Sequence, residues 1–454
     1  MFRSRTTWPL AHVIALLGAI LLHVFSGIAY IADNTLLAAE YLLVGQFVVT
    51  LALLPSWLLI DIRLLFAFLY TMYGGAGGLT VLVGKVPEYA GLADATALYA
   101  TGLIGFNLAL AVRPGRLVLG TNASVSVPVL PVGALCVGVI SAIIYGGVLG
   151  YSPGYDAIKR STDVAALSQL WTVMTFAIQG LAFYCVVHFR RLGWLLRLAT
   201  ILALAGFVAF HLALGNRREY APIVLAALLV AFGRTRFAWP AGAMTMAMFF
   251  IIGVIRQPQA PFDQSVRTTI EQASKGNEFS VPIETTAYYV THSAILHYGT
   301  TYLRTPLYAI PRTLWRGKPV SLSTDFLLSL VGRTDYQGFA FNPVTEAFLN
   351  FGWIGPFVVL GFCSVMLRRV LDLGTRSFGY YVVCCCLTPD FQRGEFGTAL
   401  YQAVFVLVAY RVCELATGLR LTGSVLPSGA SRRGCPMNLD ERVPEFARTR
   451  PHYF

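Results

Sequence analysis

Long apolar stretches recur along almost the whole of this 454-residue chain, and they limit its fold more than any other feature. A helix of about 20 apolar residues is long enough to cross the hydrocarbon core of a bilayer. Backbone polar groups must be paired within lipid, so such stretches must be helical. Only 12% of the residues are charged, and 56% are hydrophobic. The sequence therefore predicts an all-α, polytopic integral membrane protein.

The hydropathy pattern predicts about twelve transmembrane helices, in line with the length each span needs. We place them near residues 8–32, 36–60, 64–84, 92–112, 125–150, 165–187, 192–213, 219–233, 238–255, 345–367, 378–389 and 397–415. The eighth stretch is short for a full span, and the eleventh is interrupted by Pro389 and Asp390.

Four segments follow from this pattern. They are an N-terminal membrane domain of nine predicted helices (1–255), one large polar loop (256–341), the C-terminal transmembrane helices (342–415) and a polar tail (416–454). The composition of the tail predicts disorder.

Arginines in the short loops predict the orientation, because cytoplasmic loops carry an excess of Lys and Arg. They fall on alternate turns, all on one side of the predicted membrane: Arg3, Arg5, Arg63, Arg113, Arg116, Arg190, Arg191, Arg234, Arg236, Arg368 and Arg369. That side is then the cytoplasm, which places both termini inside and the large loop on the outer face. The net charge of +12 is mostly this topology signal, and we expect no nucleic-acid binding.

The eight cysteines do not form the separated pairs of a zinc site. All but Cys435 fall inside apolar spans, and Cys384, Cys385 and Cys386 are consecutive. Buried cysteine behaves as a small hydrophobic residue, so we expect these side chains to pack the interior. No metal site or cofactor is predicted.

Two basic segments break the charge rule on the outer face. Arg217 and Arg218, in the turn HLALGNRRE, either snorkel to lipid phosphates or bind a phosphate-bearing substrate through their guanidinium groups. The second segment is the acid-free run LRTPLYAIPRTLWRGKP in the large loop, with four basic residues: Arg304, Arg312, Arg316 and Lys318. If Pro311 starts a helical turn, Arg312 and Arg316 share a face that suits a diphosphate. A solvated face is the alternative.

The large loop also contains an aromatic segment, IETTAYYVTHSAILHYGTTYL at 283–303, which predicts an interfacial helix. On such a helix Tyr288, His292 and Ile295 share a face. That face either holds sugar rings or lipid, or packs the loop on the membrane domain.

The loop ends where a late span begins. Asn342 followed by Pro343 predicts a helix start, which puts Glu346 in the first turn at the outer membrane edge. The acid either complements the helix dipole or serves as a general base beside the arginine-rich segments.

The order of these elements resembles the bacterial oligosaccharide repeat-unit (O-antigen, Wzy-type) polymerases. The likeness rests on GNRREY opening a short apolar helix, on IPRTLWRGKP in a long outer loop, and on TEAFLNFGWIGPF entering a late span. It implies a GT-C-like fold in the bacterial inner membrane, with the large loop and the active site facing the periplasm. It also implies a metal-independent glycosyltransferase without a cofactor. Its donor and acceptor would be undecaprenyl-diphosphate-linked oligosaccharides, which it would join into O-antigen, capsular or exopolysaccharide. Membrane lipid would surround the protein.

The resemblance supports these roles for the candidate residues. Glu346 is the first candidate for general base, with Asp325 and His292 as rivals. The diphosphate would be bound by Arg217, Arg218, Arg304, Arg312, Arg316 and Lys318. A chain-length regulator and a repeat-unit flippase are the partners that the family suggests.

Two other functions remain open at this point. An O-antigen ligase uses the same donor but transfers the glycan to lipid A-core. A flippase or transporter of lipid-linked oligosaccharides would show internal repeats and mid-membrane charges. The sequence has no clear internal repeat, and its ionisable groups lie mostly at the outer edge, which favours an enzyme.

Overall fold

The computed structural model describes residues 9–55, 57–84, 88, 90–112, 117–118, 129–148, 165–214, 217–233, 235, 239–240, 242, 280–292, 296–309, 315, 321–331 and 341–417. Within these ranges the regular structure is helical, without strands. The predicted all-α class is therefore confirmed for this part of the chain.

We number the helices in chain order. They are α1 (Pro9–Ile31), α2 (Thr35–Leu53), α3 (Ile62–Gly84), α4 (Leu92–Val112), α5 (Val129–Val148), α6 (Ala165–Val187), α7 (Trp194–Leu214), α8 (Arg217–Phe232), α9 (Ser280–Thr291), α10 (Thr300–Arg304), α11 (Leu322–Val331), α12 (Pro343–Phe351), α13 (Gly355–Arg376), α14 (Phe378–Gln392) and α15 (Phe396–Ala416). Short 3-10 helices cover Phe189–Arg191, Thr305–Ala309 and Gly352–Ile354.

Nine spans among the described residues are long and apolar enough to cross a membrane, which supports the polytopic architecture. They lie in α1 to α7, in α12 and α13 taken together, and in α15. Helix α8 has 16 residues and α14 has 15, so both are shorter, as predicted for these two stretches. Most of the predicted span at 238–255 lies outside the described residues.

One prediction about α14 is wrong. The stretch at 378–389 was expected to be interrupted by Pro389 and Asp390, yet the helix continues through both to Gln392. Asp390 is buried, and its Oδ2 accepts a hydrogen bond of 2.6 Å from Nε2 of Gln402 on α15. Tertiary contacts of this kind outweigh the local preference of proline.

Two buried apolar clusters hold the bundle together. One joins α6 and α15, with Phe183 and Tyr410 at 0% and 1% exposure. The other joins α4, α9 and α12 through Phe106, Ile283 and Val344, which are fully buried. The second cluster positions the candidate site.

Side-chain contacts define the two ends of the bundle. At one end the Tyr381 hydroxyl, near the start of α14, donates to the carbonyl oxygen of Ile60 at 2.7 Å, just before α3. Tyr184 and Thr417 join the ends of α6 and α15 there, through hydroxyl oxygens 2.9 Å apart. We call this the arginine end because it also carries Arg63. The opposite end, formed by α9, α10 and the starts of α12 and α15, is called the loop end.

The prediction of one interfacial helix over 283–303 is also wrong. Helix α9 ends at Thr291, and a turn with positive φ at Tyr298 and Gly299 (48° and 82°) precedes the separate helix α10. The buried side of α9 packs against α3, α4 and α12, so packing on the membrane domain is the observed role of that side. Tyr288 and His292 do stack, with ring centroids 4.2 Å apart, whereas Ile295 lies outside the described residues.

Candidate functional site

The start of α12 is fastened to α9 by its capping residue. As predicted, the Asn342 side chain accepts a hydrogen bond from the Thr345 backbone N–H (2.9 Å), and Pro343 occupies the first turn. Nδ2 of Asn342 also donates to the carbonyl oxygen of Pro282 (2.5 Å) and to Thr286 Oγ1 (3.1 Å). Because all of these groups are buried, the register of α12 against α9 is fixed.

Glu346 lies in the first turn of α12, as predicted, with only 2% of its surface exposed. Its Oε1 accepts a hydrogen bond from the Thr301 hydroxyl of α10 at 2.9 Å. Its Oε2 accepts one from the backbone N–H of Phe396, the first residue of α15, at 2.6 Å. The Thr301 hydroxyl oxygen in turn accepts from Nδ2 of Asn350 at 2.7 Å. One carboxylate thus joins three helices at the loop end.

Among the described residues, hydrogen-bond donors are the partners of the Glu346 carboxyl group. The ion pairs found within the described part of the chain, Arg63–Asp61 and Arg411–Glu414, do not include it. A buried carboxylate without a cation depends on such donors. A carboxylate offers about four acceptor positions. With two occupied, Glu346 retains acceptor capacity for a ligand hydroxyl.

Tyr302 adds a buried donor beside this carboxylate. Its ring stacks on Phe351 (centroids 6.2 Å apart) and meets Phe396 edge-on (5.6 Å). Its hydroxyl is buried and has no hydrogen-bond partner among the described residues. Burial, together with the charge of Glu346, raises the pKa of the Tyr302 phenol well above its usual range, so it remains a protonated donor.

A second acid, Glu395, was missed in the sequence. Its Oε2 accepts from the backbone N–H of Leu322 at the start of α11 (2.7 Å), and its Oε1 accepts from the Thr398 hydroxyl (3.0 Å). It immediately precedes Phe396, whose N–H binds Glu346. Glu395 is the N-cap residue of α15, and an acid directly before an apolar helix, in the sequence RGEFG, is a local signal of a helix start, but no local signal indicates its contact with α11.

Arg304, one of the predicted diphosphate-binding residues, lies near this site. It is the last residue of α10, three positions after Thr301, and its side chain is exposed. One helical turn therefore separates an exposed guanidinium group from the residue that holds Glu346. Arg312, Arg316 and Lys318 lie outside the described residues.

Helix α8 begins with Arg217 and Arg218, as the sequence predicted. Their side chains are outside the part of the chain that the structure describes. Polar contacts tie their helix to α15. Nε2 of Gln179 on α6 donates to the carbonyl oxygen of Glu219 at 2.7 Å, and Nε2 of Gln402 on α15 donates to Oε1 of Gln179 at 3.3 Å. The first turn of α8 is thus connected to the helix whose first residue binds Glu346.

The two rival acid–base candidates differ from Glu346 in being exposed. Asp325 is exposed on α11, and His292 is exposed at the end of α9. Nδ1 of His292 lies 2.9 Å from the carbonyl oxygen of Tyr288. Among the hydrogen bonds of the described residues, neither side chain contacts Glu346.

The remaining predictions about side chains concern metal sites and cysteines. In the part of the chain that the structure describes, no group of three or more His, Cys, Asp or Glu side chains is arranged to hold a metal ion. Cysteines of the described helices are free thiols in buried or half-buried positions, as expected for packing residues.

In comparisons with known proteins, no family model, no curated protein and no solved structure matches the chain.

Proposed function

We propose that this protein is a membrane glycosyltransferase of the O-antigen polymerase type. It would join undecaprenyl-diphosphate-linked oligosaccharide repeat units into O-antigen, capsular or exopolysaccharide at the periplasmic face of the bacterial inner membrane. The observation that carries the proposal is the buried Glu346, held by Thr301 of the short helix that ends in the exposed Arg304. The motifs around these residues supply the resemblance.

In the proposed reaction, a hydroxyl of the acceptor sugar gives its proton to the Glu346 carboxylate while its oxygen attacks the anomeric carbon of the donor. The bond between that carbon and the phosphate oxygen breaks, and its electron pair leaves with the lipid diphosphate. Arg304, together with the other candidate arginines and Lys318, would stabilise the charge on the leaving group. The Tyr302 hydroxyl would donate to a hydroxyl of the bound sugar.

The competing explanation is that Glu346 only fastens α10 and α15 to α12. The variant Glu346→Gln distinguishes a structural role from a catalytic one, because glutamine has nearly the same shape as glutamate. Its Oε1 can still accept from the Phe396 N–H, and its Nε2 can donate to the Thr301 hydroxyl oxygen. An amide cannot take up the proton of the acceptor. The fold should therefore survive a change that removes a general base.

The test is extension of a synthetic undecaprenyl-diphosphate repeat unit by the purified protein in liposomes. We expect Glu346→Gln to slow extension by about 10²- to 10⁴-fold, with little change in the unfolding temperature. Glu414→Gln, an acid at the arginine end that pairs with Arg411, is the matched control and should extend normally. Wild-type extension by Glu346→Gln would refute the assignment of the general base.

The same assay separates the alternative functions. A polymerase lengthens a lipid-linked acceptor, whereas an O-antigen ligase transfers the glycan only to lipid A-core. A flippase or transporter moves the lipid-linked oligosaccharide across the bilayer and leaves the bond to the diphosphate intact. Extension without lipid A-core is the expected result.

A further inference from the structure

A cavity of about 370 Å³ lies at the arginine end, between α3, α4 and α13, on the opposite end of the bundle from Glu346. Ligand cavities typically measure about 300–1,000 Å³. Three arginines form part of its wall: Arg63, Arg368 and Arg369. Ser364, which is buried on α13, adds a hydroxyl group. A wall of this kind suits an anion.

Arg63 is the buried arginine of the cavity wall, and an ion pair fixes its position. Its Nη2 lies 2.7 Å from Asp61 Oδ2 and its Nε lies 2.9 Å from Asp61 Oδ1, which is a bidentate pair. The two side chains are 1% and 0% exposed. Breaking such a buried pair is costly, so Arg63 is a preorganised part of the wall.

Arg368 and Arg369 add further positive charge to the cavity wall. Among the described lining residues, Arg63 is paired with Asp61, and Arg368 and Arg369 accompany one acid, Asp372. Arg369 is exposed and Arg368 is half-buried, so both can reach a ligand that enters from the side. Guanidinium groups bind phosphate oxygens through paired hydrogen bonds.

The rest of the described lining is aliphatic, and two of its residues are exposed on the outer surface of the bundle. Val112, at the end of α4, is 79% exposed, and Val365 of α13 is 47% exposed. In a membrane-embedded bundle, such surfaces lie against lipid chains rather than water. The cavity therefore places cationic groups beside a surface suited to hydrocarbon, which is the arrangement of a phospholipid at the membrane interface.

We propose that this cavity binds the phosphate-bearing headgroup of an anionic membrane phospholipid. Arg368 and Arg369 contact the phosphate, Ser364 adds a hydrogen bond, and the first acyl methylenes lie along Val112 and Val365. This site is separate from the proposed glycosyltransferase site and does not depend on it.

The test is lipid binding to the purified full-length protein, measured by native mass spectrometry from detergent with phosphatidylglycerol and phosphatidylcholine. We expect selective retention of phosphatidylglycerol, weakened by added salt because screening reduces charge interactions. The double variant Arg368→Gln, Arg369→Gln should lose about tenfold in affinity, in line with two charge-assisted contacts. Arg376→Gln, on the same helix but outside the cavity lining, is the matched control and should bind normally.

A second variant, expected to maintain or strengthen lipid binding, keeps the proposal testable if the double variant fails to fold. Asp372→Asn removes the acid from the lining, so phosphatidylglycerol should bind at least as tightly as in the wild type. Equal retention of both lipids, or equal binding by the double variant and Arg376→Gln, would overturn the proposal. Binding of glycerol 3-phosphate as tight as that of phosphatidylglycerol would also overturn it, because the cavity would then take a soluble phosphate.

Discussion

At the scale of single residues, the Tyr302 hydroxyl is the group whose role is easiest to isolate. Within the described part of the chain this buried hydroxyl has no hydrogen-bond partner. Removing an unsatisfied buried donor costs the folded state little and stabilises it by up to about 1 kcal/mol. We therefore expect Tyr302→Phe to keep or slightly raise the unfolding temperature, while polymer extension falls by about tenfold, in line with one lost hydrogen bond to substrate.

The comparison is with Tyr298→Phe, a tyrosine nearby in sequence that is 78% exposed. We expect that variant to change neither unfolding nor extension. If Tyr302→Phe lowered the unfolding temperature clearly, the hydroxyl would have a structural partner, and its proposed contact with sugar would lose its basis.

Sequence pattern predicted the position of Glu346 but not its partners. The pair Asn342–Pro343 is a local signal, and it placed the acid correctly in the first turn of α12. Thr301 and the Phe396 N–H lie 45 and 50 positions away along the chain. No local period or charge pattern indicates a neutral hydroxyl or a backbone donor at such distances.

At the scale of helices, Asn342 is more than an ordinary cap. Aspartate usually caps a helix as well as asparagine does. Here Nδ2 of the buried Asn342 also donates to the Pro282 carbonyl oxygen, and a carboxylate would place a second acceptor there. We expect Asn342→Ala to lower the free energy of unfolding by about 1–3 kcal/mol, and Asn342→Asp to be no more stable than Asn342→Ala.

Chemical unfolding in detergent, followed by helical circular dichroism, measures this difference. Asn34 provides the control, since it caps α2 from an exposed position by accepting from the Leu37 N–H at 3.0 Å. Asn34→Asp should change stability by less than about 0.5 kcal/mol. An Asn342→Asp variant as stable as the wild type would show that the contact with Pro282 is unimportant.

The closest approach of α4 to α13 depends on glycine. A Cβ at Gly105 would contact the carbonyl oxygen of Phe357, and one at Gly361 would lie 3.3 Å from the carbonyl oxygen of Gly105. Small residues allow helices to pack this closely in membranes. We expect Gly105→Ala to cost about 1–3 kcal/mol of stability through overpacking. Gly206→Ala on α7, where nothing lies within 4 Å, should be neutral or slightly stabilising.

Hydropathy located the long helices well because a continuous apolar run of about 20 residues is a local signal. The prediction from hydropathy and composition failed where tertiary contacts determine the ends of a helix. The turn at Tyr298–Gly299 separates α9 from α10 and brings Thr301 to Glu346, although composition predicted one continuous helix. Helix α14 passes Pro389 because its end is bound to α15.

At the scale of the whole molecule, the charge rule described the arginine end only in part. Arg63 was counted as a loop charge that marks the cytoplasm, yet its side chain is buried in a bidentate pair with Asp61. The positive-inside rule counts lysines and arginines without regard to neighbouring acids. The orientation prediction therefore depends more on the other arginines, such as the exposed Arg369.

Orientation can be measured by labelling single cysteines with a membrane-impermeant maleimide in spheroplasts. Leu303 of α10 is 78% exposed at the loop end, and Thr375 of α13 is exposed at the arginine end. The cysteines within the apolar spans give low background because buried thiols are inert, and Cys435 is replaced by serine. We expect Leu303→Cys to react from outside and Thr375→Cys to react only after permeabilisation. Reaction of Thr375→Cys alone in sealed spheroplasts would invert the topology and place Glu346 in the cytoplasm, away from the proposed periplasmic substrates.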